Sequence, residues 1–276
     1  MGVLRAFAGA FKLKIGEVEF GVSAEKGTAD SGTLEHDLPE LLAQVAATAA
    51  KAEGVLTLFV DEVQYLSADE LSALIVAVHK LGQRSLPFIL FGAGLPQLAA
   101  LVGESKSYAE RLFDYPEIGP LSPEAAKDAI TAPLLRANRK IEPAALNAIV
   151  DKTSRYPYFL QEWGYQSWNA ASSSPITSAD VKLATKSAIE RLDSGFFKVR
   201  FDRLTPRERD YMRAMAGLGA GPHRSGDIAA VLDKSVSAVG PVRDGLIKKG
   251  MIYSPRHGDT AFTVPLFDEF LKRAMK

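Results

Sequence analysis

The 276-residue sequence contains no cysteine, which removes thiolate nucleophiles, iron–sulfur clusters, disulfide scaffolds and every cysteine-based metal site at once. That absence fits a reducing cytoplasm. No Gly-x-Ser-x-Gly run occurs, so the nucleophile elbow of α/β hydrolases is missing. His36, His79, His223 and His257 stand far apart, and none makes a two-ligand spacing with another, which argues against a metal centre built on histidine. Net charge is lacking as well, with 33 Lys+Arg against 33 Asp+Glu. Residues 1–11 show no signal-peptide pattern. The uncharged stretch 85–103 is broken by Pro87, Pro96 and glycines, so it reads as a strand, a turn and a helix start rather than a membrane span.

What is present is an ordinary globular composition, 47% hydrophobic, 24% charged and 9% aromatic. The length suffices for two domains, or one plus a small appendage. The balanced charge conceals an asymmetry: residues 204–276 carry an excess of four positive charges and residues 1–203 an equal negative excess. A mildly basic tail on a mildly acidic body suggests two jobs.

Alternation around Gly16 over residues 13–22 predicts a β-hairpin, and the polar stretch 24–35 an exposed loop. Leu38, Leu41, Leu42, Val45 and Ala46 recur at helical spacing. The continuous apolar run Val55-Leu56-Thr57-Leu58-Phe59-Val60 has strand length and predicts a strand covered on both faces of a parallel sheet. Ser67 and Glu70 form a capping-box pair opening a helix to Leu81, and residues 88–91 form a second apolar strand. Strand, helix, strand at this spacing predicts a parallel crossover, hence an α/β first part. From Ser122 onward helices begin at Ser122-Pro123, Glu142-Pro143, Pro157 and Thr177/Asp180, which predicts a helical subdomain.

Thr205-Pro206-Arg207-Glu208 opens a last module of helices 206–216, 225–232 and about 236–249, with Gly250 as a stop. Two short strands then flank the turn-rich Arg256-His257-Gly258-Asp259. Three helices and a hairpin predict a winged helix-turn-helix. The expected division is therefore 1–120, 121–203 and 204–276. Trp163, Tyr165 and Trp168 are expected in the helical core, and Phe196 with Phe197 as an anchor between domains.

The chemistry-bearing pattern is the acid pair Asp61–Glu62 directly after the first apolar strand. A carboxylate at the C-terminal edge of a parallel strand can hold Mg²⁺ through water beside nucleotide phosphates, and a neighbouring Glu can polarise an attacking water. The alternative is plain: a buried strand must end somewhere, and acids are common where it meets solvent.

Together with Phe91-Gly92-Ala93-Gly94-Leu95-Pro96, Tyr108-Ala109-Glu110-Arg111-Leu112-Phe113 and Tyr156-Pro157-Tyr158-Phe159-Leu160-Gln161, the segment Val60-Asp61-Glu62-Val63-Gln64-Tyr65-Leu66 resembles bacterial AAA-type P-loop ATPases of the archaeal-ATPase and origin-recognition group. The resemblance runs from about Leu38 to the end. It implies a partial parallel-sheet ATPase core, a helical lid and a C-terminal winged helix. It further implies Asp61 and Glu62 as the Walker B pair, with Asp61 on Mg²⁺ through water, Arg111 as an arginine finger toward a neighbouring subunit, and Pro157 near the nucleotide base. ATP and Mg²⁺ are the implied cofactors, and oligomerisation through the core the implied assembly. Departures are equally specific. Gly92 and Ala93 offer no side-chain donor where the family usually has a small polar sensor, and Arg155 replaces the usual glycine before Tyr156-Pro157. Arg155 reads either as a sensor arginine or as an exposed basic residue.

None of the 22 glycines is followed by lysine, so the Gly-x-x-x-x-Gly-Lys-Ser/Thr phosphate cradle is missing. The expectation is that the sequence begins inside the ATPase domain, after the phosphate loop. This chain alone is then expected to bind nucleotide weakly at most and to lack ATPase activity. In the last module, Lys234, Ser235 and Ser237 at the start of the second helix of the pair, Arg243 farther along and Arg256 with His257 at the wing tip are the candidates for DNA contact. Protein contact through the same module remains open, as does a non-enzymatic interaction module that keeps the fold without nucleotide chemistry. No membrane partner is expected.

Overall fold

The computed structural model describes residues 12–15, 18–21, 31–106 and 108–275. The chain divides into two compact units, Met1–Pro116 and Glu117–Lys276. Among the described residues no helix is long and apolar enough to cross a membrane.

In the first unit β1 (Lys12–Ile15) and β2 (Val18–Gly21) pair antiparallel, as the alternation predicted. Most of the predicted loop 24–35 lies outside the described residues. Helix α1 (Leu34–Lys51) begins inside its end. Buried Asp37 ties down that start, accepting from Ser31 N, Ser31 Oγ and Gly32 N at 3.0, 2.7 and 3.1 Å. β3 (Leu56–Val60), α2 (Ala68–Gln83), β4 (Phe88–Gly92) and α3 (Leu98–Ser105) follow. The Ser67–Glu70 capping box forms as predicted: Ser67 N donates to Glu70 Oε2 at 2.8 Å and Glu70 N to Ser67 Oγ at 3.3 Å. β3 and β4 pair in parallel from Leu56↔Phe88 to Val60↔Gly92.

Burial contradicts the expectation that β3 is covered on both faces. Side chains alternate across a strand. Leu56 and Phe88 pack against Ala43, Ala46 and Leu81 of the two long helices, while Phe59 (73% exposed), Phe91 (53%), Ile89 and Val55 remain open to solvent. The rings of Phe59 and Phe91 stack on one another at 5.1 Å. An unbroken apolar run thus belongs here to a strand with one covered face among the described residues.

The second unit starts with α4 (Pro123–Arg136), α5 (Pro143–Lys152), α6 (Pro157–Ala170) and α7 (Ser178–Arg191). Each of the first three carries proline at its first turn, where the missing N–H costs nothing. A π-helical segment, Leu192–Phe197, passes into α8 (Lys198–Asp202). Then come α9 (Pro206–Leu218), β5 (His223–Arg224), α10 (Ser225–Val231), α11 (Val236–Lys248), β6 (Ile252–Tyr253), β7 (Asp259–Phe262) and α12 (Phe267–Ala274). Gly250, with φ +68°, follows α11 in the left-handed conformation that ends helices. The three short strands pair in the order β5-β7-β6, all antiparallel.

One buried cluster runs through this unit from Ala126 to Leu271, across the predicted boundary at 203/204. Its hinge of contacts is Phe197, whose ring lies 5.8 Å from Phe159, 5.6 Å from Phe267 and 5.3 Å from Phe270. Trp163 is buried there as expected, its Nε1–H donating to Thr185 Oγ1 at 3.1 Å. Tyr165 and Trp168 depart from the core expectation: both are exposed, lying under the guanidinium groups of Arg191 and Arg139.

Candidate functional site

Asp61 and Glu62 follow the last residue of β3, and both side chains are exposed. Asp61 Oδ1 accepts from Glu62 N at 2.9 Å. Glu62 adopts φ +54°, a left-handed conformation that non-glycine residues rarely take. The loop holding it is stitched to the loop after β4 by backbone bonds, Ala93 N to Val60 O and Val63 N to Ala93 O, each 2.9 Å. Gln64 completes the stitching: its amide nitrogen donates to Glu62 Oε2 and its amide oxygen accepts from Leu95 N at 3.1 Å. Gly94 makes room for this bridge, because a Cβ there would stand 2.7 Å from Gln64 Oε1. Sequence reasoning passed over Gln64, and a polar amide three residues after the acid was the available signal.

The end of β4 is tightly packed against the acid loop. A Cβ on Gly92 would meet Val63 Cγ2 at 3.2 Å, so any side chain there would press on the residue that seats the acid loop. Arg111 closes a short 3₁₀ turn, Ala109–Arg111; Ala109 is buried with Val63, Leu71, Ile75 and Val102, and Arg111 is exposed. Arg111 thus shares the first unit with the acid pair.

Arg155 and Pro157 belong to the second unit. Ser154 (φ +50°) and Arg155 (φ +59°) are both left-handed, the conformation that glycine takes without penalty. Arg155 O accepts from Leu121 N at 3.2 Å. Pro157 is the exposed first residue of α6.

At the start of α11 the candidates Lys234, Ser235 and Ser237 are all exposed. Ser235 is the helix cap, accepting from Ala238 N at 3.3 Å, and its Oγ lies 3.0 Å from that of Ser237. Pro241 neither delays nor ends α11, which runs unbroken through it from Val236. Arg243 is largely taken up inside the unit: Nε donates to Thr260 Oγ1 at 3.0 Å and Nη2 to Asp259 O at 3.2 Å, holding β7 against α11. Arg256 is 82% exposed at the hairpin tip, with Asp259 Oδ2 3.8 Å away, and His257 beside it is exposed. The structure therefore gathers Lys234, Ser235 and Ser237 on one helix end, and gives Arg243 a supporting contact instead of a free one.

Whether these residues fit Mg·ATP has a divided answer. The acid pair is open and placed where a strand end could hold a hydrated cation. No phosphate cradle exists in the sequence to stand opposite it, and the described residues contain no cluster of three or more His, Asp or Glu placed to hold a metal ion. The chain thus offers two carboxylates at a strand end, and the sequence given carries no Gly-x-x-x-x-Gly-Lys-Ser/Thr motif.

A family described as "Domain of unknown function (DUF8462)" matches residues 194–271. That stretch begins before α9 and includes Phe197, whose ring packs on Phe267 and Phe270 of α12. No curated protein matches the chain. Among solved structures, the Walker-type ATPase of Pyrococcus abyssi matches with a TM-score of 0.62 at 16% identity, covering 85% of this chain and 68% of that one. The RuvB Holliday junction branch migration motor of Thermotoga maritima matches at 0.44 and 16% identity, covering 84% and 81%. Cdc6p from Pyrobaculum aerophilum matches at 0.38 and 16%, covering 86% and 71%. The mostly helical chain with its small parallel sheet is thus similar in fold to a Walker-type ATPase.

Proposed function

We propose that this chain is the Walker B half of an AAA-type ATPase with a regulatory or DNA-associated role in the cytoplasm, its α4–α7 helices serving as the lid and its C-terminal module as a winged helix. The observation that carries the reading is the open Asp61–Glu62 pair at the end of a parallel strand, with Glu62 held by Gln64. In this reading Asp61 holds Mg²⁺ through water and Glu62 orients the attacking water. Arg111 serves a neighbouring subunit; on the second unit Pro157 is the residue proposed to meet a nucleotide base and Arg155 the candidate sensor arginine. Because the sequence contains no cradle, this chain by itself has no measurable ATPase activity. Isothermal titration with ATP and Mg²⁺ should give no micromolar binding, and micromolar binding would refute the divided-site reading.

Duplex DNA is the proposed partner of the C-terminal module, through Lys234, Ser235, Ser237 and Arg256, with Arg243 holding the hairpin in place. The support is the exposure of Lys234, Ser235, Ser237 and Arg256; the excess of four positive charges in residues 204–276 is small for a nucleic-acid footprint and counts for the second reading. An electrophoretic shift of duplex DNA at about 50 mM salt, lost in the Lys234→Ala, Arg256→Ala double variant, is the expected result. No shift at that salt would favour the second reading, a protein-interaction module on an ATPase fold.

A further inference from the structure

One side of α6 carries a row of arginine–aromatic stacks that neither the nucleotide reading nor the C-terminal module uses. Tyr158 and Tyr165 stand seven residues apart, two helical turns, and Trp168 follows three residues later, so the three line one side of the helix over about 15 Å. All three are exposed, from 38% for Trp168 to 55% for Tyr165. A single exposed ring means little, but a row of them marks an interaction surface. Each ring belongs to a stack with an arginine. Arg139 Cζ lies 4.4 Å from the Trp168 centroid and Arg191 Cζ 5.4 Å from that of Tyr165. Tyr158 stacks at 4.8 Å on Phe196, over which Arg200 Cζ lies at 3.8 Å.

The bonds of these arginines orient them over the rings. Arg139 donates to the carbonyl oxygens of Trp168, Ala171 and Ser173 at 3.4, 3.2 and 2.9 Å, and Arg200 to that of Phe196 at 3.2 Å, bonds that fix a guanidinium without neutralising it. Arg191 has Glu162 Oε2 at 3.5 Å, and Glu162 is the one acid in α6. Asp180, within electrostatic reach of Arg139, is engaged in capping α7. Arg136 and Lys140, on either side of Arg139 in the chain, are exposed. What stands on the rings is therefore positive charge.

Aromatic faces and guanidinium planes both accept unstacked bases, and guanidinium groups also meet phosphates. A duplex keeps its base faces stacked inside and offers only edges. We infer that this side of α6 is a docking track for single-stranded nucleic acid, with bases on Trp168, Tyr165 and Tyr158 and phosphates at Arg139, Arg191 and Arg200. It uses none of the residues proposed for duplex DNA and does not rest on that reading.

The test uses the full chain carrying Lys234→Ala and Arg256→Ala, so that the duplex-DNA candidates contribute nothing, at about 50 mM salt. The probe is an oligothymidylate of about eight nucleotides, followed by its anisotropy and by tryptophan fluorescence. Trp168 is exposed whereas Trp163, the other tryptophan, is buried, so base stacking should quench Trp168. The oligothymidylate should bind saturably and quench, and an abasic strand of the same length should bind at least about tenfold more weakly. Tyr165→Ala with Trp168→Ala should lose about tenfold or more in affinity. Trp168→Phe, which keeps a ring, should retain binding and lose the quenching, which separates stacking from a folding defect. Arg139→Gln should lower the slope of log affinity against log salt by about 0.7. Equal binding of the abasic strand or unchanged affinity in the double alanine variant would overturn the assignment. So would the absence of saturable binding, which would leave the row of rings to a protein partner.

Discussion

From Ala126 to Leu271 the buried apolar side chains form one continuous cluster. In the first unit the described ones fall into small separate groups, around Ala43, Ala46 and Leu81 and around Val63, Leu71, Ile75, Val102 and Ala109, and one face of the β3–β4 pair stands open. The contrast teaches that cohesion and candidate chemistry are concentrated in different units. The second unit carries the deep core, whereas the acid pair sits on a small sheet whose stability rests on two helices against one face.

The largest expected effect tests the continuity of the second core. Phe197→Ala removes the ring shared by Phe159, Phe267 and Phe270 and should cost about 3–5 kcal/mol in denaturant melts. If only α12 came loose, with the helices before it unaffected, the single-cluster description would fail.

Next comes Glu208. Burial pushes its carboxyl up, but the Lys249 ammonium at 2.7 Å and the Thr205 amide outweigh that and hold it below the ordinary carboxylate value. A lowered folded-state value means that its contribution is complete above about pH 4.3 and is lost as pH falls through the folded value. Glu208→Ala should destabilise by about 2 kcal/mol at neutral pH and flatten the acid limb of the stability curve. An unchanged limb would show that Glu208 is not the group responsible.

Arg243 and Arg256 sharpen the comparison within the second unit. Arg243→Ala should cost about 1–2 kcal/mol, because it frees the Thr260 hydroxyl and the Asp259 carbonyl. Arg256→Ala, on a long exposed pair, should stay within about 0.5 kcal/mol. Smallest of all is Phe59→Ala on the open sheet face, expected within about 0.5 kcal/mol of the parent. A core-sized loss there would mean that this face is covered in solution, and the contrast between the units would dissolve.

Local signals made much of this legible from the residues alone. Capping boxes are short-range chemistry, so Ser67/Glu70, Thr177/Asp180 and Thr205/Glu208 fall where they were read. The parallel strands were legible from apolar runs, but their exposure was not, because a run of apolar residues carries no record of what lies against each face. α12 escaped reading because it starts after left-handed Leu266 without a capping side chain, although Phe267, Phe270 and Leu271 have helical spacing and are buried. β5 is two residues long and is defined by its partner β7. The same holds for the site. Asp61 and Glu62 announce themselves in sequence, whereas Gln64 and the tethered Arg243 acquire their roles from residues 31 and 17 positions away.

Gln64 has a mechanical corollary. One carboxamide grips the Glu62 carboxylate with one end and the Leu95 amide with the other, so the two strand termini are geared and neither can travel alone. In Gln64→Ala, amide exchange at Leu95 should therefore speed up, while Val63, whose amide donates to Ala93 O, should keep its protection.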